Sequence, residues 1–216
     1  MGARPALLFD LDGTLVDTDV HHMAAWNDVL APPGRAVDHD GYRRNIMGFT
    51  NEAILAWLFG DSAASHHAMP LEKERRFRAR LDRLEPTAGL PVLLTAAAAR
   101  EWPCAVVTNA PRDNAELMLR GLGLATRFPV LVIGDELPRG KPDPLPYLTA
   151  MERLGVSAAQ SIAFEDSLSG IRAAAGAGVF TVGMLSALPE EALRAAGASM
   201  VVRDFTDAAL LRRLGL

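Results

Sequence analysis

Lysine is nearly absent from this chain. Of its 22 basic residues only Lys73 and Lys141 are lysines, and a sequence that otherwise uses arginine singles out those two positions. Cysteine is scarcer still. Cys104 stands alone, which excludes an internal disulfide and makes a reducing cytoplasm the expected compartment. No apolar run approaches the ~18 residues that a membrane span requires, and the amino-terminal stretch reaches Asp10 and Asp12 too early for a secretory leader. Positive charge is not in excess: 22 Lys+Arg stand against 26 Asp+Glu, a net charge of −4, which argues against a general nucleic-acid binder. What is present is an ordinary globular balance, 50% hydrophobic and 22% charged over 216 residues, enough for one large domain or a core with an insert.

Apolar runs at Ala6 to Phe9, Cys104 to Thr108, Val130 to Ile133, Ser161 to Phe164 and Val179 to Val182 read as buried strands, with a short edge strand at Ser199 to Val202. Between them lie helical patterns over Arg112 to Leu122, Pro144 to Leu154 and Ser167 to Ala177, closed by Gly123, Gly155 and Gly178. Near-continuous apolar strands alternating with helices predict an α/β fold, a parallel sheet covered on both faces. Residues 18–86 break this rhythm. They hold no convincing strand but four helical stretches, Val20 to Leu30, Asp40 to Met47, Asn51 to Phe59 and Leu71 to Leu84, separated by loop signals at Pro32-Pro33-Gly34 and Gly60-Asp61-Ser62. The expected division is a core of residues 1–17 and 87–216 and a helical insert of residues 18–86.

The strongest chemical signal is Asp10-Leu11-Asp12-Gly13-Thr14 directly after the first strand. In an extended segment residues i and i+2 point the same way, so both carboxylates project from the strand's carboxyl end, where parallel α/β sheets bind ligands. Two such carboxylates repel each other unless a cation is near. Taken alone, the pattern is equally a strand-end turn with solvated aspartates. Three later segments follow three other strands: Thr108-Asn109, Lys141-Pro142 and Glu165-Asp166. Each by itself has a bland reading, as a helix cap or a surface lysine. Four in order on four strands are hard to ascribe to chance.

This ordered set resembles the four motifs of the haloacid dehalogenase-like hydrolase superfamily, and the helical insert after the first motif resembles the α-helical cap of its beta-phosphoglucomutase and sugar-phosphate phosphatase branch. The resemblance covers essentially the whole chain. It implies a Rossmann-like core, Mg²⁺ dependence and an aspartyl-phosphate intermediate. On that resemblance Asp10 is the nucleophile and Asp12 the general acid and base. Thr108, Lys141 and Asn109 hold phosphoryl oxygens. Asp10, the backbone carbonyl of Asp12 and Asp166 ligate Mg²⁺, with Glu165 beside the metal or orienting Lys141.

Within the superfamily, Asp12 argues for phosphoryl rather than haloacid chemistry, since dehalogenases lack it. Beta-phosphoglucomutases carry an arginine where this chain has Asn51, which cannot form a bidentate pair with phosphate. Thr18 and His22, in contrast, match mutase positions. Phosphonate hydrolases carry a Schiff-base lysine in the cap, but Lys73, in Glu72-Lys73-Glu74, sits in a setting that resembles sugar-phosphate phosphatases and mutases. Its bland reading is a solvated helix lysine. The expected function is an Mg²⁺-dependent phosphatase of small phosphomonoesters, sugar or polyol phosphates, with a phosphosugar mutase or a phosphoglycolate phosphatase as the alternatives. A non-catalytic scaffold is the third class, and the presence of every motif carboxylate speaks against it. His22, Phe49, Asn51 and Lys73 are expected to read the leaving group. The partner is a small phosphate ester, with neither nucleic acid nor membrane, and the chain is expected to act as a monomer. Trp26, Phe49, Trp57 and Phe59 are expected in the core of the insert, and Cys104 as a buried apolar residue.

Overall fold

Four apolar residues in succession leave no face for solvent, and Ala6–Phe9 (β1) is buried on both sides. The structure, a computed structural model, describes residues 4–216. β1 lies at the centre of a six-stranded, all-parallel sheet with Cys104–Thr108 (β2), Val130–Ile133 (β3), Ser161–Glu165 (β4), Phe180–Met184 (β5) and Met200–Val202 (β6), in the order β3-β2-β1-β4-β5-β6. Leu8 pairs with Ala105 on one side and Ala163 on the other. The period-2 alternation sends Leu7 and Phe9 to one face, where Phe9 stacks on Phe164 at 4.9 Å, and Leu8 to the other, against Tyr147. The strand order reverses beside β1, the crevice where open α/β sheets place ligands.

After β1 the chain first forms the four α-helices of residues 18–86: Asp19–Leu30 (α1), His39–Asn45 (α2), Asn51–Phe59 (α3) and Met69–Arg78 (α4). Asp38 and Thr50 cap α2 and α3 through Gly41 N and Ala53 N. These helices have a hydrophobic cluster of their own, built on Trp26, Leu30, Tyr42, Ile46 and Ile54, while Ala25 and Phe77 belong to the larger cluster under the sheet. The segment returns where it left: Val16 bridges Pro86, and Thr87 bonds the carbonyls of Leu15 and Thr14. Leu90–Ala99 (α5), Arg112–Gly121 (α6), Leu145–Leu154 (α7), Leu168–Gly176 (α8), Glu190–Ala196 (α9) and Ala208–Leu214 (α10) complete the chain.

The differences from the sequence reading have local causes. The fourth helix of the insert stops at Arg78 rather than running to Leu84, because the next turns close on shorter bonds, Arg80 N to Phe77 O and Leu81 N to Arg78 O. Gly60-Asp61-Ser62 begins a 3-10 helix instead of a loop. Trp57 is 45% exposed, so it is not part of the insert's core; Trp26 is buried, and Phe49 and Phe59 pack against that core. The helices α5, α9 and α10 had no clear periodic signal: α5 is almost entirely aliphatic and the other two are short. No helix among the described residues is long and apolar enough to cross a membrane.

Burial raises the Cys104 thiol to about 11, so little thiolate exists near neutrality. A maleimide reagent at pH 7.5 should leave the folded protein unlabelled and modify one site after denaturation; rapid labelling of native protein would contradict this packing.

Candidate active site

β1 ends by handing the Asp10 N–H to the carbonyl of Phe164 (2.9 Å), which ties the first motif to β4. Gly13 then turns the chain with φ +70°, a conformation that costs a side chain strain. Space forbids one as well, since a Cβ there would lie 1.8 Å from Asp166 Oδ2. Only a residue without a side chain lets the turn after β1 pass this close to the carboxylate after β4.

Lys141 reaches this centre from the loop after β3. Its buried Nζ donates to Asp10 Oδ1 (2.6 Å) and to the Val107 carbonyl (2.7 Å), and lies 2.6 Å from Glu165 Oε1. Tyr147 OH donates to the same Glu165 oxygen at 2.5 Å. Burial opposes charge on the lysine, yet Asp10 and Glu165 hold it protonated above the usual lysine value. One lysine cannot neutralise three carboxylates. Asp10, Glu165 and Asp166 are all buried, and each offers an oxygen within 4.8 Å of the others. Burial and the Glu165 charge push Asp10 up to about 8 despite Lys141, and burial with Asp10 beside it drives Asp166 well above the carboxylate range. Such a site lacks positive charge, and its hard oxygen donors suit a divalent cation such as Mg²⁺.

Asp12 is treated differently. Burial would raise it, but His22 and Thr18 outweigh that and hold it below its ordinary value. Thr18 Oγ1 donates to its Oδ1 at 2.5 Å and His22 Nε2 lies 3.0 Å from the same oxygen. The other His22 nitrogen meets Lys73 Nζ at 2.7 Å, and the imidazole stacks on Phe77 at 3.7 Å. Lys73 is buried rather than solvated, and pairs with Glu74 at 3.0 Å.

The structure gathers Asp10, Asp12, Thr108, Asn109, Lys141 and Asp166 from the sheet edge around one cavity, with His22, Phe49, Asn51 and Lys73 of the insert across from them. Glu165 stands behind Lys141 and does not line the cavity. Asn109 is engaged structurally: its Nδ2 donates to the carbonyls of Gly48 (3.2 Å) and Lys141 (3.1 Å), and its Oδ1 accepts from Lys141 N (3.0 Å). Thr108 Oγ1 accepts from Ala110 N (3.0 Å), which leaves its proton free to donate. Three polar residues of the insert that line the cavity escaped the sequence reading: Asp19, Tyr42 and Glu74. Tyr42 OH donates to Asp19 at 3.0 Å. Nothing in the sequence distinguishes them, since each is an ordinary polar position on a helix.

The pattern of the haloacid dehalogenase-like hydrolases matches residues 7–184. The chain belongs to that family. It is 34% identical to a phosphorylated carbohydrates phosphatase of Thermotoga maritima, over 92% of this chain and 94% of that one. It is 38% identical to a phosphoglycolate phosphatase of Xylella fastidiosa, over 80% and 76%. Among solved structures it resembles CbbY from Rhodobacter sphaeroides in complex with phosphate, with a TM-score of 0.84, 28% identity and coverage of 98% and 99%.

The charge imbalance makes two outcomes measurable. Lys141→Met should cost about 3–5 kcal/mol in urea unfolding, because it strands buried carboxylates. Millimolar Mg²⁺ should raise the wild-type melting temperature by several degrees, since an ion bound only by the folded state stabilises it; no shift would contradict a cation site here.

Proposed function

We propose that this phosphomonoester hydrolase releases phosphate from small sugar or polyol phosphates through an aspartyl-phosphate on Asp10, with residues 18–86 acting as a cap that reads the leaving group. The observation that carries the reading is the contrast between two aspartates on one strand end. Asp10 is paired with Lys141 among crowded acids, while Asp12 is held by Thr18 and His22 toward the insert. Lys141 and a cation beside Asp10 would hold it as the carboxylate that attacks phosphorus, and the place of Asp12 toward the insert suits it to exchange a proton with a leaving alcohol. Similarity to a phosphatase named for phosphorylated carbohydrates supports the substrate class.

Asp10 and Asp166, with the backbone carbonyl of Asp12, would hold Mg²⁺. When bound, the ion offsets repulsion between the anionic nucleophile and the anionic ester. Asp10 attacks phosphorus as the ester P–O bond breaks, and Asp12, which takes up a proton when the anionic ester enters beside it, delivers that proton to the departing oxygen. Lys141 and the Thr108 hydroxyl hold non-bridging oxygens, and Glu165 keeps Lys141 in place. Asp12, now ionised, removes a proton from water as that water attacks the acyl phosphate, which restores Asp10 and frees inorganic phosphate. The helices over the cavity exclude bulk water from the reacting centre.

The mutase reading needs a cation for a second phosphate. At the corresponding place Asn51 Nδ2 donates to Glu74 Oε1 (3.3 Å), so the observation favours a phosphatase.

The two aspartates separate kinetically. Asp10→Asn should abolish phosphate release from every ester. Asp12→Asn should slow an alkyl phosphate by about 10²–10⁴-fold, yet p-nitrophenyl phosphate, whose leaving group needs no acid, should give a single-equivalent burst of nitrophenolate before stalling. Full turnover of alkyl esters by Asp12→Asn would refute the assignment.

A further inference from the structure

The wall of the cavity beyond Asp12 carries more negative than positive charge, and this bears on which esters can enter. Glu74, on α4, is 5% exposed and lines the cavity. Its Oε1 accepts from Lys73 Nζ (3.0 Å) and Asn51 Nδ2 (3.3 Å), and its Oε2 accepts from Asn114 Nδ2 (2.6 Å). Arg78 NH1 donates to Asn114 Oδ1 at 2.8 Å, which turns the amide of Asn114 toward the carboxylate. Burial would favour a neutral acid, but Lys73, His22 and Asn114 hold Glu74 below its ordinary value, so it remains ionised.

Glu74 lies three contacts from the proton-transfer aspartate, through Lys73 and His22. That places it on the leaving-group side rather than at the phosphate. Asp19 also lines the cavity as a second acid. Among the described residues, the only lysine or arginine lining this part of the cavity is Lys73, and it is already spent on Glu74 and His22. Arg78 does not line the cavity.

We infer that Glu74 is a specificity-determining residue that rejects esters whose leaving group carries a second anionic group and accepts those bearing neutral hydroxyls. The inference rests on the phosphatase reading and deepens it. An ionised carboxylate offers about four acceptor positions. Three are filled here, and one on Oε2 is left for a substrate hydroxyl. A carboxylate or second phosphate on the leaving group would face Glu74 without a free cation, and like charges placed together in a partly desolvated cavity are strongly disfavoured. A hydroxyl in the same place supplies the missing donor.

The test uses two esters of the same length, 2-hydroxyethyl phosphate and 2-phosphoglycolate, which differ in CH₂OH against COO⁻. For the wild type with Mg²⁺, kcat/KM should favour hydroxyethyl phosphate by about tenfold or more. Glu74→Gln should reduce that ratio about tenfold, chiefly by lowering the KM for phosphoglycolate, whereas Glu74→Asp, which keeps the charge, should preserve the preference. Equal or better use of phosphoglycolate by the wild type overturns the inference whether or not the variants fold. So does an unchanged ratio in a folded Glu74→Gln. Failure of the wild type on both esters and on p-nitrophenyl phosphate would instead overturn the phosphatase reading, and this inference with it.

Discussion

Everything at the sheet edge is organised around a deficit of positive charge. Lys141 is fully enclosed and touches Asp10 and Glu165 at once, with Asp166 close by. Burying one ammonium among three carboxylates is costly unless more positive charge arrives. That unresolved charge suits the site to a divalent cation. The glycine between Asp10 and Asp166, the tyrosine on Glu165 and the backbone carbonyl under Lys141 all keep these groups from moving apart.

The second constraint is the chain of polar contacts from the core into the helical segment. Asp12 meets Thr18 and His22, His22 meets Lys73, Lys73 meets Glu74, and Glu74 meets Asn114 back on α6. This wall of the cavity is thus assembled from both parts of the molecule. Gly48 fastens the same interface, its carbonyl accepting from Asn109 and from Ser169 Oγ at 2.6 Å. On the proposed function, substrate reading and the seating of the helices over the core would use the same contacts.

The sheet was legible because buried parallel strands are apolar throughout: all six expected runs begin within one residue of the observed strands, and β1, β2 and β3 match at both ends. The i, i+2 rule put Asp10 and Asp12 at one strand end, and the strand ends that follow brought Thr108, Lys141 and Asp166 to the same edge. Helices without a polar face, such as α5, or of only seven residues, such as α9 and α10, gave no periodicity to read. Glu74 was illegible for another reason. Adjacent helix residues point about 100° apart, so spacing cannot reveal that Lys73 and Glu74 both turn into one cavity. Asn109 illustrates the limit of motif reading: its place is right, but its amide is used to join two loops.

The central claim is that Asp10 carries the phosphoryl group between ester and water. The direct measurement is acid quench of a single turnover of p-nitrophenyl phosphate with Mg²⁺ by the Asp12→Asn protein, followed by peptide mass mapping. The account predicts one phosphoryl group on the peptide containing Asp10, lost on mild base treatment as an acyl phosphate is. Release of one equivalent of nitrophenolate with the phosphate free in solution and Asp10 unmodified would contradict it.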